Sequence, residues 1–189
     1  MVVNEDKFEK SDIELVRMTL FDQENFLYLV QRYEKKLLRF IQRISGLSSD
    51  DAQDLLQEVF IKVYQNLNDF DQSLKFSSWL YRITHNQVIS NYRKNKSRPQ
   101  LSLFDLDWES CEQLASDFDI NQSLDQGILK EKMSRALDSL DLKYKEVIIL
   151  KYLEDRSYEE ISDIIKKPVS TVGTLLRRAK KSLQKEFKK

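Results

Sequence analysis

The stretch SYEEISDIIKKPVSTVGTLLRRAKKSLQK, residues 157–185, decides how the chain is read. Ser157 with Glu160 three positions later is a capping box, in which hydroxyl and carboxylate each satisfy an orphan backbone amide at a helix start. Ile161, Ile164 and Ile165 supply the apolar side of that helix. Lys166, Lys167 and Pro168 end it, because proline lacks an amide donor and disfavours helix in the residue before it. Ser170 offers a second N-cap. Val172, Leu175, Leu176, Ala179 and Leu183 then recur at i, i+3, i+4, i+7 and i+11, one face of a second helix. Ser170, Thr174, Arg177 and Lys181 point the opposite way, with Thr171 and Arg178 on a flank. Two helices, a tight turn and a hydroxyl- and arginine-rich outer face make a helix-turn-helix with a recognition helix. Arginine can bind guanine edges or phosphate, and Ser or Thr suits either. The plainer alternative is a helical hairpin with a solvated basic face.

The rest of the chain is consistent with an all-α protein. Its 189 residues include only three glycines and two prolines, so breakers are scarce. A single cysteine excludes an internal disulfide and fits a reducing compartment. No long apolar run and no signal peptide is present, which points to a cytoplasmic protein without membrane insertion. Net charge is zero but unevenly spread. Residues 31–100 carry 12 basic and 7 acidic side chains, and residues 126–189 carry 16 and 10; between them, residues 101–125 carry seven acidic and none basic. Two basic blocks are thus separated by a purely acidic segment, a sign asymmetry that accommodates a DNA binder where the zero total does not.

Residues 12–44 read as helical with a break near Phe21 and Asp22, and Gly46 stands where a helix C-cap belongs. Ser48 or Ser49 can cap the next helix, about Asp51 to Asn66, with Asp50 and Asp51 at its positive end. Its outer side holds Gln53, Asp54, Gln57, Glu58, Ile61, Lys62 and Gln65. The i, i+4 pair Asp54 and Glu58 raises a metal or acid–base site, but no histidine lies near in sequence, and a carboxylate face carrying one apolar Ile61 suits protein docking better. A polar loop around Phe70 leads to a helix over about Ser78 to Lys96, capped by Ser77. Phe76, Trp79, Leu80 and Ile83 define one face, and Arg93, Lys94, Lys96 and Arg98 make its end basic. Aromatics beside cations can stack bases along a phosphate backbone, or simply form core, the plainer role for Trp79. His85, the only histidine, has no metal-ligating partner nearby in sequence. Pro99 ends the first block. Leu101 to Asp125 shows no sustained period and reads as a linker, either a solvated tether or an occupant of a basic channel on a partner; Cys111 within it looks incidental. Helical pattern resumes near Leu124, and Asp141 can cap a helix before the opening motif. The chain therefore divides into residues 1–98, a linker 99–125, and residues 126–189: two small helical domains joined by an acidic linker, the second a helix-turn-helix.

The segments 51–60 (DAQDLLQEVF) and 76–83 (FSSWLYRI) with Asn86 resemble region 2 of sigma-70-type sigma factors. The segments 157–161 (SYEEI), Thr171–Val172 and Arg178–Lys180 resemble region 4. With no third domain between them, the chain resembles the extracytoplasmic-function (ECF) subfamily. The resemblance implies a transcription initiation factor, not an enzyme, with no cofactor and no metal. Its implied partners are core RNA polymerase, promoter DNA and an anti-sigma factor. Asp51, Asp54, Gln57, Glu58 and Ile61 would dock on the clamp of the largest polymerase subunit, and the C-terminal domain on the flap. Phe70, Phe76, Trp79, Arg82, Asn86, Arg93 and Lys94 would bind the −10 element and capture a flipped base. Ser170, Thr171, Gly173, Thr174, Arg177, Arg178 and Lys181 would read the −35 element. The linker would thread the polymerase cleft. Gly173 and Leu175 stand where Lys or Arg is common, Ser90 replaces a common Asp, and Lys167 a common turn Gly; these departures bear on promoter sequence. The rival reading is a stand-alone helix-turn-helix regulator; a magnesium-dependent nuclease using Asp50, Asp51, Asp54 and Glu58 is a distant third.

Overall fold

The structure, a computed structural model, describes residues 9–94, 106, 108–118, 120 and 125–187. Among these residues every regular element is a helix. Helix α1 (Asp12–Phe21) opens on a capping box between Ser11 and Glu14, and Asp22 breaks it in an extended conformation. Helix α2 (Phe26–Ser45) closes at Gly46, whose left-handed φ of 65° suits a residue without a Cβ. Helix α3 (Ser49–Gln65) is capped by Ser48, whose hydroxyl accepts from the Asp51 amide at 3.1 Å. Helix α4 (Phe76–Lys94) begins two residues before the expected start. Ser77 is thus inside its first turn rather than capping it.

These four helices pack α2 on α3 and α4, and α1 on α2. Leu37, Phe40, Ile41, Val59 and Tyr81 lie fully buried among them. Phe40 and Tyr81 meet ring to ring at 4.9 Å.

Helix α5 (Trp108–Asp117) lies in the segment expected to be a tether. It packs against α6 (Gln126–Asp138) and a later π-helical turn. Leu106, Cys111, Leu114, Ala115 and Phe118 are wholly buried. Cys111 is therefore core, not incidental. Lys180 and Gln184 donate to the carbonyls of Asp117 and Phe118, fixing the end of α5 to the back of the last helix. This part of the linker belongs to the C-terminal domain; the expected boundary at Pro99, Lys96, Arg98 and most of residues 95–107 lie outside the described residues.

Helix α7 (Leu142–Ile148) runs into a π-helical turn (Ile149–Leu153), where amide 154 reaches back to the carbonyl of Ile149. Asp155 then adopts a left-handed φ of 48°. Helix α8 (Tyr158–Ile165) starts on the expected box, with Ser157 and Glu160 exchanging bonds of 2.8 and 3.2 Å. Helix α9 (Val169–Phe187) buries Val172, Leu176, Ala179 and Leu183. It starts at Val169, so Ser170 lies in the first turn and is not the cap. The left-handed turn residue is Lys166, at φ 54°, one position before the Lys167 at which glycine is common in the resembled family.

Candidate nucleic-acid and polymerase interfaces

The outer face of α9 follows from its apolar stripe. With the stripe packed on α7 and α6, Ser170, Thr174, Arg177, Arg178 and Lys181 are left exposed, and Thr171 and Gly173 are half-buried. The Thr174 hydroxyl donates to the Ser170 carbonyl at 3.0 Å. This geometry admits an exposed basic helix into a DNA major groove by its first turns.

Gly173 has no special conformation to explain it. A Cβ there would sit 3.7 Å from a ring carbon of Tyr158, an ordinary contact on the side turned towards α8. Gly173→Ala is therefore expected to stabilise the protein by about 1 kcal/mol through helix propensity. Duplex −35 binding should be unchanged. Chemical denaturation and a duplex-binding assay check the two halves; weakened binding would mark Gly173 as a point of close DNA approach.

On α3, Asp51, Asp54, Gln57, Glu58 and Ile61 are all exposed on one side, as expected. Ile61 is 57% exposed, an apolar side chain set among carboxylates. Glu58 accepts from the Gln87 amide of α4 at 2.6 Å, so this carboxylate also braces the two helices. Among the described residues no cluster of His, Cys, Asp and Glu could hold a metal ion.

The expected −10 residues separate into two groups. Phe70, Phe76 and Trp79 form a buried aromatic cluster with centroid distances of 5.1–5.7 Å, and Tyr33 stacks edge-on to Phe76. They are packed on one another and leave no ring face open to a base. Asn86, Arg93 and Lys94 are exposed, and Arg82 is half-buried. Trp79, Asn86 and Arg93 are spaced by seven residues, so they share one side of α4.

Next to that side the C-terminal domain packs on α4. A groove of 590 Å³ runs between Asn86, Ser90 and Arg93 of α4 and Leu142, Glu146 and Lys167 opposite. Polar contacts that local sequence does not announce cross the boundary. The His85 ring meets the Glu146 carboxylate at 3.0 Å, both buried. Tyr81 donates its hydroxyl to Glu154 at 2.7 Å. Arg43 bonds to the same carboxylate at 3.1 Å and to the Leu153 carbonyl. The Arg156 guanidinium lies 4.1 Å over the Tyr81 ring. Burial pushes the Glu154 carboxyl above its ordinary value, against the opposing pull of the Tyr81 hydroxyl and the Arg43 charge. Burial also raises the Tyr81 hydroxyl, with the Glu154 charge adding to the shift, so Tyr81 remains a donor. At the rim, Lys75 and Glu160 pair at 3.1 Å.

Comparison with known proteins places these surfaces in context. Residues 29–98 match the family described as Sigma-70 region 2, and residues 130–183 the family described as Sigma-70, region 4. The ECF RNA polymerase sigma factor SigW of Bacillus subtilis is 34% identical over 177 residues, covering 88% of this chain and 91% of that protein. The ECF RNA polymerase sigma-E factor of Escherichia coli is 32% identical over 166 residues, covering 86% of each. In fold, the chain is similar to CnrH, solved in complex with the cytosolic domain of CnrY, at a TM-score of 0.66 and 24% identity over 93% of this chain and 96% of that one. It is also similar to RpoE of Bartonella quintana, solved with the anti-sigma factor NepR, at 0.62 and 21% over 90% and 98%.

Proposed function

The chain belongs to the ECF subfamily of sigma-70-type RNA polymerase sigma factors, and from that premise we propose how its surfaces divide the work of promoter-directed initiation. As a sigma factor it directs RNA polymerase to promoters. It acts as an initiation subunit without chemistry of its own, in the cytoplasm. Among the described residues no helix is long and apolar enough to cross a membrane.

Residues 1–98 dock on the polymerase clamp and open the −10 element. The exposure of Asp51, Asp54, Gln57, Glu58 and Ile61 on one side of α3 supports the docking role and is the observation that carries this reading. Asn86, Arg82, Arg93 and Lys94 meet the −10 strand: the cations take phosphates and the Asn86 amide reads an unstacked base. Phe70, Phe76 and Trp79 serve as the packed wall that fixes α4. Residues 126–189, joined by α5, engage the flap and read the −35 element through Ser170, Thr171, Thr174, Arg177, Arg178 and Lys181. The remainder of residues 99–125 links the two. By analogy with the neighbour solved with an anti-sigma factor, such a protein is a further partner.

Purified chain is expected to associate with core RNA polymerase, and Ile61→Asp to weaken that association by adding an unpaired charge to the docking face. Wild-type chain that fails to associate would contradict the reading.

A further inference from the structure

Helix α1 ends on an apolar ring left in the open. Phe21, its last residue, is 95% exposed, and Leu20 beside it is exposed as well. The other side of α1 buries Leu15, Val16 and Thr19, so the helix is firmly seated while these two side chains are left out of its packing. The corner that displays them is fixed by hydrogen bonds. The Asp22 amide donates to the Met18 carbonyl at 2.8 Å, and the Asp22 carboxylate accepts from the Glu24 amide at 3.1 Å. The Asn25 side chain donates to the carbonyls of Met18 and Asp22. One exposed phenylalanine by itself would call for no explanation. This one is part of a patch: Leu20 and Phe21 share a groove of 670 Å³ with Tyr64 of α3, itself exposed.

Tyr64 ties the groove to α3. Its hydroxyl donates to the Gln23 side chain at 2.8 Å, and its ring meets Phe26 edge-on at 5.2 Å. Gln57, Ile61 and Tyr64 stand at i, i+4 and i+7, on one side of the helix. The groove therefore continues the α3 face proposed above to dock on polymerase. We propose that this docking face extends across Tyr64 to Phe21, and that Phe21 anchors a polymerase helix whose apolar residues are flanked by lysine or arginine. Charge selects that occupant over nucleic acid. Among the described residues no lysine or arginine lines the groove, whereas Asp22 does, and the adjoining α3 face carries Asp54 and Glu58. A nucleic-acid strand would bring its phosphates against carboxylates with no cation to neutralise them. A helix with basic side chains meets complementary charge instead. An aromatic ring also suits an anchor, since it brings a large apolar area on few rotatable bonds. The rigid corner holds it ready, so little freedom is lost on binding.

This inference rests on the reading of α3 as the polymerase-docking face, and titration of labelled full-length chain with core RNA polymerase separates the two. Phe21→Ala is expected to weaken binding about tenfold, while Phe21→Leu, which still fills the groove, should keep most of the affinity. Both should melt as the wild type does, because the side chain is exposed. Ile61→Asp reports on the α3 face independently. Full affinity in Phe21→Ala beside weakened Ile61→Asp would overturn the extension and leave the α3 reading standing. Weakened Phe21→Ala beside an unaffected Ile61→Asp would support the anchor and count against the α3 reading. Wild-type chain that does not bind would overturn both. Should Phe21→Ala not fold, photo-crosslinking decides, with p-benzoylphenylalanine placed at position 21 or, separately, at position 61. Both positions are expected to link to the largest polymerase subunit. A link from position 21 to promoter DNA or to a second copy of the chain, with none to polymerase, would overturn the proposal.

Discussion

Phe76→Ala is expected to destabilise the protein by about 3–5 kcal/mol, the usual cost of emptying a buried aromatic site. Phe76 is 2% exposed and packs against Tyr33, Phe70 and Trp79. It loses three ring contacts as well as its burial. For a chain of this size the change corresponds to about 6–20 °C in melting temperature, a large share of a typical total stability. Promoter opening should fall with it, because α4 begins at Phe76 and carries Arg82, Asn86 and Arg93. Phe76→Leu separates the two roles open to this residue. Leucine keeps apolar bulk, so it should restore most stability and, with it, promoter opening. A Phe76→Leu protein that melts normally yet cannot open a promoter would show that the ring itself stacks on a base.

Arg178→Ala has the opposite profile. The side chain is exposed on α9 and alanine is a better helix former, so stability should hold or rise slightly. Duplex −35 binding should weaken by about 1–3 kcal/mol if the guanidinium reads a base edge in bidentate fashion. Salt titration tells base from backbone: loss of a phosphate contact lowers the slope of log affinity against log salt by about one, and loss of a base contact leaves it intact. Unchanged affinity would remove Arg178 from the recognition face.

Much of this architecture is legible in local sequence because local rules produced it. The Ser157–Glu160 box, the Ser48 cap and the Gly46 terminus lie where short-range chemistry puts them. The exposed side of α3 and the stripe of α9 follow from helical period alone. Helix α5 is missed and read as linker: Cys111, Leu114, Ala115 and Phe118 do recur at i, i+3, i+4 and i+7, but the acidic composition around them masks that short signal. The polar contacts between the domains are not legible either. A helical period tells which side of α4 is apolar, yet nothing near Tyr81 or His85 names a carboxylate 73 or 61 residues later as its partner. The only trace is Glu146 in an otherwise apolar register, buried with Val147 and Ile148. The aromatic cluster shows a related limit. Phe70, Phe76 and Trp79 have the composition of a base-stacking site, and only their packing against Tyr33 and one another reveals a wall.

The most direct test of the central claim is transcription by core RNA polymerase over a library of genomic fragments, with and without the purified chain, with start sites mapped by sequencing. The chain is expected to create a set of new starts that share one −10 and one −35 sequence. Identical starts in the two reactions, from preparations in which the chain is folded, would contradict the claim that it directs initiation.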